Sequence, residues 1–315
     1  MAQNPFPYSD TNKRYHTWDY HLKQKFGGKT FKVSLNAGFG CPNQDGTKGF
    51  GGCTYCSTHG SGDFAGNPRE DIVTQFEQIK EVMLQKWPDV NRFIGYFQAY
   101  TNTYAPLSVL KEKYEAILAQ PGVVGLSIAT RADCLPDDVV EYLAELGKRT
   151  YLIVELGLQS VSDVTGERIH RGHTWQEFLD GFWKLHHHGI PVCVHIINGL
   201  PGETHEDMLH TVRELSKLPI HAIKIHLLHV IKGTAIAKEL ERGDFSLMTM
   251  EDYIETVCDQ LELLAPEVII QRLTGDGDRS TLIGPMWSMN KKAVMNGIDK
   301  ELVRRNSWQG KQFGK

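Results

Sequence analysis

Residues 123–157 read VVGLSIATRADCLPDDVVEYLAELGKRTYLIVELG. Val123–Ala129 is a short apolar strand, residues 136–147 carry an amphipathic helical pattern opened by Pro136, and Tyr151–Gly157 is a second apolar strand. Strand, helix and strand in so little chain call for two parallel strands joined by a right-handed crossover. The unit recurs in both directions. Further strands are predicted at Phe31–Asn36, Phe93–Ala99, Val192–Ile197 and Ala222–Leu228, with helical patterns near 70–86, 107–119, 162–188 and 204–217. Pro106 and the run Gly199-Leu200-Pro201-Gly202 mark other helix starts and turns. About six units predict an α/β fold: a partial (β/α)6 TIM-like barrel, short of a closed ring of eight. Reactive groups then belong on the loops at the C-terminal ends of the strands. Residues 1–30 read as an N-terminal extension, 31–240 as the core barrel and 241–315 as a C-terminal helical and irregular extension. The extension holds a helix near 249–264, and its less regular last fifty residues are expected to cover the open side or the mouth.

Composition narrows the class. With 315 residues, 41% hydrophobic and 23% charged, the chain builds a full core, and wholesale disorder is excluded. No apolar run is long enough to span a bilayer, and the N-terminus lacks a signal-peptide core. The expectation is a soluble cytoplasmic protein with no membrane partner. Six cysteines are too few for a disulfide scaffold and read as thiols. A net charge of −4 argues against a general nucleic-acid binder. The charge is uneven, however. Residues 1–30 carry five Lys/Arg against two Asp, and residues 291–315 carry seven against two acids, so the middle is acidic. The basic ends are either solvated tails or a face that attracts phosphates.

The loop after the first strand, residues 38–60, reads GFGCPNQDGTKGFGGCTYCSTHG. Cys53 and Cys56 form C-x₂-C, with Cys41 twelve residues earlier, and glycines between them let the backbone fold back around a bulky ligand. Soft thiolates grouped this way select zinc or an iron–sulfur cluster. Three thiolates on a [4Fe–4S] cluster leave one iron open to a small molecule. With His59, the same residues make a closed Cys₃His zinc site. Taken alone, the loop leaves both open, beside a reading as unliganded core cysteines. Cys193 and Cys258 read as small core hydrophobes, and Cys134 stands at the active end of its strand. His186-His187-His188 reads as the C-terminal end of a helix ahead of Gly189.

With the rest of the chain, the loop resembles the radical S-adenosylmethionine (SAM) superfamily. Tyr55 between the last two cysteines matches that superfamily's C-x-Φ-C ending. The long gap from Cys41 to Cys53 departs from the common C-x₃-C-x₂-C. It resembles a branch related to the Elp3-like and coproporphyrinogen-oxidase-like enzymes, the YhcC–YtqA (MnmL-type) subfamily. The stretches RYHTWDYHLKQKFG, FQAYTNTYAP, GLSIATRADCLPDDVVEYL, VELGLQS, HIINGLPGET, KIHLLHVIKGT and IGPMWSMNK carry that resemblance along nearly the whole chain.

The resemblance implies a radical SAM barrel in which Cys41, Cys53 and Cys56 hold a [4Fe–4S] cluster. It sets Tyr55 near the adenine of SAM, Gln159 on the ribose, Arg171 on the carboxylate as a bidentate partner, His195 near the ribose, and the backbone of Ile197, Asn198 and Gly199 on the adenine. The family's glycine pair after the second strand is absent; Gln98, Tyr100 and Thr101 stand there. Ala129 replaces an acidic residue common after the third strand, which leaves Gln98, Thr130 and Arg131 as candidates for the remaining SAM contacts. The implied activity is reductive cleavage of SAM to a 5'-deoxyadenosyl radical. The implied substrate is tRNA at the anticodon, with 5-carboxymethylaminomethyl-(2-thio)uridine converted to the 5-aminomethyl form at the wobble position. Implied partners are a reductant such as flavodoxin or ferredoxin and a downstream tRNA methyltransferase. Two alternatives are a radical SAM enzyme on a small or porphyrin-like molecule, and a zinc-stabilised nucleic-acid-binding protein without catalysis. The basic ends, with Arg304, Arg305, Trp308 and Phe313, are expected beside the mouth as the tRNA site.

Overall fold

The computed structural model describes residues 4–57, 60, 62, 64–275 and 277–314. In chain order the elements are α1 (Trp18–Phe26), β1 (Phe31–Leu35), α2 (Ile72–Lys86), β2 (Phe93–Phe97), α3 (Leu107–Leu118), β3 (Val123–Thr130), α4 (Asp137–Arg149), β4 (Tyr151–Gln159), α5 (Asp163–Arg168) and α6 (Trp175–His187). They continue as β5 (Val192–Asn198), α7 (His205–Leu215), β6 (Ala222–Leu227), β7 (Val230–Ile231), α8 (Ala235–Arg242), α9 (Met250–Leu263), β8 (Ile269–Arg272), β9 (Leu282–Gly284) and α10 (Lys291–Arg304). Among the described residues a seven-stranded sheet runs β1-β2-β3-β4-β5-β6-β8, every pair parallel. It curls into the expected partial barrel with helices outside. The six expected strands begin where the sequence puts them. A seventh, β8, lies in the segment 241–315 and extends the sheet beyond β6.

The helices form where caps and periodicity agree. Thr174 and Glu177 make a capping box at α6, and Thr204 and Asp207 make another at α7. On α4, Val139, Val140, Leu143 and Leu146 face the sheet fully buried, each contributing roughly 1.5–3 kcal/mol of apolar burial. The single helix expected over 162–188 is two, α5 and α6, because residues 169–174 leave the helix to wrap the end of β4. No helix of the described residues is long and apolar enough to cross a membrane.

The barrel interior is polar. Inward positions carry Lys32, Tyr96, Ser127, Glu155, His195, Lys224 and Arg272, unlike the branched apolar layers that fill a closed eight-stranded barrel. Lys32 Nζ on β1 reaches Gln271 Oε1 on β8 at 2.7 Å, which links the two free edges of the sheet.

The basic ends do meet, but at the opposite end from the cysteines. Thr17 bridges to Ile270 at the start of β8, and α1 packs Trp18 against Tyr151 at the start of β4. Gln309 accepts from His16 N and donates to the carbonyls of Ala265 and Val268. The tail is therefore docked at the N-terminal ends of the strands, away from the mouth, and part of its charge is paired internally. Lys13 pairs with Asp299 at 2.5 Å. Arg305, 17% exposed, donates to Glu301 at 2.6 Å, pairs with Asp259, and stands 3.7 Å from Glu262. The expected placement of Arg304 and Arg305 beside the mouth is not met, and the Arg305 guanidinium is already held by these acids.

Hydrogen bonds from Arg304, then from Arg305, hold the Glu301 carboxyl down to about 2 against the burial that would raise it. A carboxylate so depressed stabilises the fold fully above its ordinary pKa of about 4.5 and loses that contribution as pH falls towards 2. Arg305→Ala is expected to cost about 1–3 kcal/mol of stability near neutral pH. The deficit of Glu301→Gln relative to wild type should shrink as pH falls from about 4.5 towards 2, read by denaturant unfolding across that range.

Candidate active site

The cysteine loop follows β1 at the C-terminal end of the sheet and docks on residues 169–172. Thr54 N donates to Ile169 O at 2.9 Å, and Asn43 Nδ2 to His170 O at 2.5 Å. Gly172, at φ +74°, lets Asn43 seat against it; a Cβ there would stand 2.5 Å from Asn43 Oδ1. Asn43 Nδ2 also lies 3.6 Å from Cys53 Sγ. Cys41, Cys53 and Cys56 are half-buried, and all three line one cavity. Burial raises the Cys53 thiol, while Arg131 and a Tyr55 hydrogen bond favour its thiolate. Cys134, Cys193 and Cys258 are buried; burial pushes Cys134 and Cys258 up to about 12 and leaves Cys193 higher still.

The cavity, about 290 Å³, extends from the thiols down into the barrel. Tyr55, Gln98, Thr130, Arg131, Gln159, Arg171 and His195 line it with the cysteines. Asn198 does not. Its side chain exchanges two 2.8 Å hydrogen bonds with Gln260 of α9 in the core, while Ile197 faces the cavity. Tyr55 packs beside Ile197 in an apolar cluster with Ile169, Leu200 and Leu228. Gln159 has φ +67° and Tyr100 φ +58°, left-handed values uncommon for residues with side chains. The β4–β5 register shifts between Gly157 and Gln159, so a bulge re-aims Gln159 where the strand ends.

The two arginines are largely engaged. Arg171 is 1% exposed. It donates to the carbonyls of His173, Leu158 and Ser160 and to Asp163 Oδ1 at 2.9 Å. One guanidinium N–H is left, so the expected bidentate pairing with a carboxylate is not open to it: a buried guanidinium must satisfy its donors, and the chain has done so. Arg131 forms a fork with Asp133, both bonds 2.9 Å, and donates to the carbonyls of Arg171 and Gly172. It too keeps one N–H. The Thr130 hydroxyl lies 2.5 Å from that of Thr103.

Sequence reading missed the deep end of the cavity. Glu155, fully buried, takes Lys32 Nζ and Ser127 Oγ on Oε1, both at 2.5 Å, and Lys224 Nζ and His195 Nε2 on Oε2, the latter at 2.7 Å. Burial alone would raise this carboxyl, but Lys224, Lys32 and His195 hold it well below the usual range. Burial, then Lys224, lowers His195 to about 4, so it is neutral at pH 7. Burial lowers Lys224 to about 7, against the opposing pull of Glu155. His173 lines the cavity with both ring nitrogens unpartnered, and burial followed by Arg171 lowers it to about 3. One signal pointed here: in KIHLLH, Lys224 and His226 alternate with apolar residues, so they face the inside of the barrel.

The three thiols on one cavity suit a cluster in which each thiolate would take its own iron. His59, the fourth member of the zinc reading, lies outside the described residues. Room beside the thiols, the unpartnered ring of His173 and one spare N–H on each arginine suit a polar, charged small molecule such as SAM.

Comparisons with known proteins agree. Residues 36–215 match the model of the radical SAM superfamily, and residues 220–304 that of the radical SAM C-terminal domain. The chain is 56% identical to the protein YtqA of Bacillus subtilis over 313 residues, 99% of this chain and 97% of that protein. It is 27% identical over 175 residues to the tRNA uridine(34) acetyltransferase of Methanocaldococcus jannaschii, 55% of this chain and 32% of that enzyme. Its fold matches Elp3 of Methanocaldococcus infernus with a TM-score of 0.65 at 18% identity, covering 89% of this chain and 64% of that one. The zinc-stabilised, non-catalytic reading gives way to these matches. The chain belongs to the radical SAM superfamily, and its cofactors are a [4Fe–4S] cluster and SAM.

Proposed function

We propose that this enzyme acts on the wobble uridine of tRNA, converting 5-carboxymethylaminomethyl-(2-thio)uridine to the 5-aminomethyl form. The observation that carries the reading is a cavity that begins at three thiols, runs down to the charged side chains of the barrel interior, and opens at the mouth beside exposed aromatic and basic side chains. Phe64 lines that cavity at 56% exposure, and Phe50, on the cysteine loop, is 83% exposed. A base that leaves its stack can recover stacking on such rings. Arg69, Lys232 and Arg279 are exposed on loops that follow β1, β6 and β8 and suit phosphates. The similarity to an enzyme named for uridine 34 of tRNA supports the same substrate.

In this reading Cys41, Cys53 and Cys56 hold the cluster, with the Arg131 guanidinium favouring the Cys53 thiolate against the burial that raises it. Tyr55 and the Ile197–Gly199 backbone take the adenine, and Gln159 and His195 lie at the ribose. The spare N–H groups of Arg131 and Arg171 bind the methionyl carboxylate singly, with Gln98 and Thr130 beside them. When bound, the cluster and SAM supply a 5'-deoxyadenosyl radical that removes a hydrogen atom from the substituent of the base. A flavodoxin- or ferredoxin-type protein supplies the electron, and a tRNA methyltransferase takes the aminomethyl product.

Mass spectrometry of tRNA nucleosides tests the substrate. A strain lacking the gene should accumulate the carboxymethylaminomethyl form and lose the aminomethyl form and its methylated product; an unchanged nucleoside profile rejects the proposal. Changing Cys41, Cys53 or Cys56 to Ala should remove iron and SAM cleavage together, whereas His59→Ala should keep the iron and its visible absorbance. Equal iron loss in His59→Ala would restore the Cys₃His reading. Replacing Arg69, Lys232 and Arg279 together by Ala should weaken tRNA binding and lower the log–log salt slope by roughly 0.7–0.9 per lost phosphate contact. Arg305→Ala should leave the slope where it is.

A further inference from the structure

The cations of the cavity pair off unequally. Arg131 is matched by Asp133, and Arg171 by Asp163. All three Lys32 protons are spent on Ser127, Glu155 and Gln271. Glu155 receives four donors, two on each oxygen, and has no capacity for another. Lys224 gives one proton to Glu155 and one to the Tyr96 hydroxyl at 2.9 Å, and keeps a third. Arg272, half-buried, makes no hydrogen bond or ion pair with any described residue. It is the register partner of Lys224 across β6 and β8, so the two cations stand side by side on the inner face. Among the described residues the only acids lining the cavity are Glu155 and Asp278. Asp278 is exposed at the mouth and takes up Ser280 through its backbone and hydroxyl groups. Among the described residues, a half-buried guanidinium stands beside a buried lysine whose carboxylate partner is saturated, so no described acid is left to match the guanidinium, and an anionic ligand would suit it.

We propose that Lys224 and Arg272 form an anion subsite at the deep end of the cavity that receives the carboxylate of the substrate's carboxymethylaminomethyl group. The proposal rests on the reading of this cavity as the place where the modified uridine is processed. Arg272 offers the planar fork that fits a carboxylate, and Lys224 the single proton it has left. His226, one inward position further along β6, has a buried Nε2 without a partner and adds a third contact. Held by its far end, the substituent is drawn taut below the thiols, which fixes its carbon–hydrogen bonds relative to the mouth. The subsite also discriminates. The aminomethyl product keeps the amine but has lost the carboxylate arm, so it offers the two cations no anion to hold and is released.

The test uses the reconstituted enzyme with cluster and SAM. Binding of the 5-carboxymethylaminomethyluridine nucleoside is compared with binding of its neutral carboxamide, and turnover is followed on an anticodon stem-loop bearing the carboxylate form. Wild type should bind the carboxylate roughly ten- to a hundredfold more tightly than the amide. Arg272→Gln should abolish that preference and Arg272→Lys should keep part of it. Lys224→Met should do likewise, but it uncovers Glu155 and can fail to fold; Arg272 has no hydrogen-bond or ion-pair partner among the described residues, so its variants carry the test. Equal binding of acid and amide by wild type, or an undiminished preference in Arg272→Gln, overturns the subsite. So does a loss of SAM affinity in Arg272→Gln with nucleoside preference intact, because the cation then serves the methionyl carboxylate. A carboxylate preference that Arg272→Gln removes, without turnover of the stem-loop, supports the subsite and rejects the tRNA reaction instead.

Discussion

One buried carboxylate organises this barrel. Glu155 on β4 is reached by Lys32 from β1, Ser127 from β3, His195 from β5 and Lys224 from β6. Lys224 adds Tyr96 on β2, and Lys32 adds Gln271 on β8. A single anion thus touches, directly or through one lysine, every strand of an open sheet. A closed barrel needs no such device, since its last strand bonds to its first. Here β1 and β8 do not pair, and the ionic hub holds them at a fixed separation. Removing one member of a saturated buried network strands the others, so the hub is strong as a whole and intolerant in its parts.

The same arrangement makes the cavity. Branched apolar layers would fill the interior, whereas a polar layer at one level leaves space above it. The bulge at Gln159 and the left-handed Tyr100 then turn side chains into that space from the strand ends. Local strain of this kind, about 1–3 kcal/mol at each residue, persists where surrounding structure over-determines it. The docking of the cysteine loop on residues 169–172 supplies that surrounding structure on the thiol side.

Much of the fold was legible because parallel strands covered on both faces are continuous apolar runs. The run Val123–Ala129 and its five companions stand out for that reason. Strand β8 did not, since Ile269–Arg272 is four residues ending in Gln and Arg. The break between α5 and α6 was hidden because its cause is a set of backbone carbonyls around Arg171, and carbonyls leave no mark on sequence. The thiols were legible from spacing, and most of the residues expected at SAM do line the cavity. The side chain of Asn198 turns away from the cavity for a reason the sequence hides: its partner Gln260 lies 62 positions away on a helix of another segment. The basic ends misled in the same way, because Asp259, Glu262 and Glu301, which neutralise Arg305, come into range only after α9 and α10 pack.

The docking of the cysteine loop also dictates an order of events during biogenesis. Asn43 finds its acceptor on His170, 127 positions later in the chain. The loop that carries the thiols leaves the ribosome long before the surface that shapes it exists. Until β4 and the following wrap have been synthesised and folded, the three cysteines hang on a glycine-rich segment with nothing to gather them. Iron delivered at that stage meets scattered thiols, and oxidants meet exposed ones. The loop can therefore gather its thiols only after β4 and the wrap that follows it have folded.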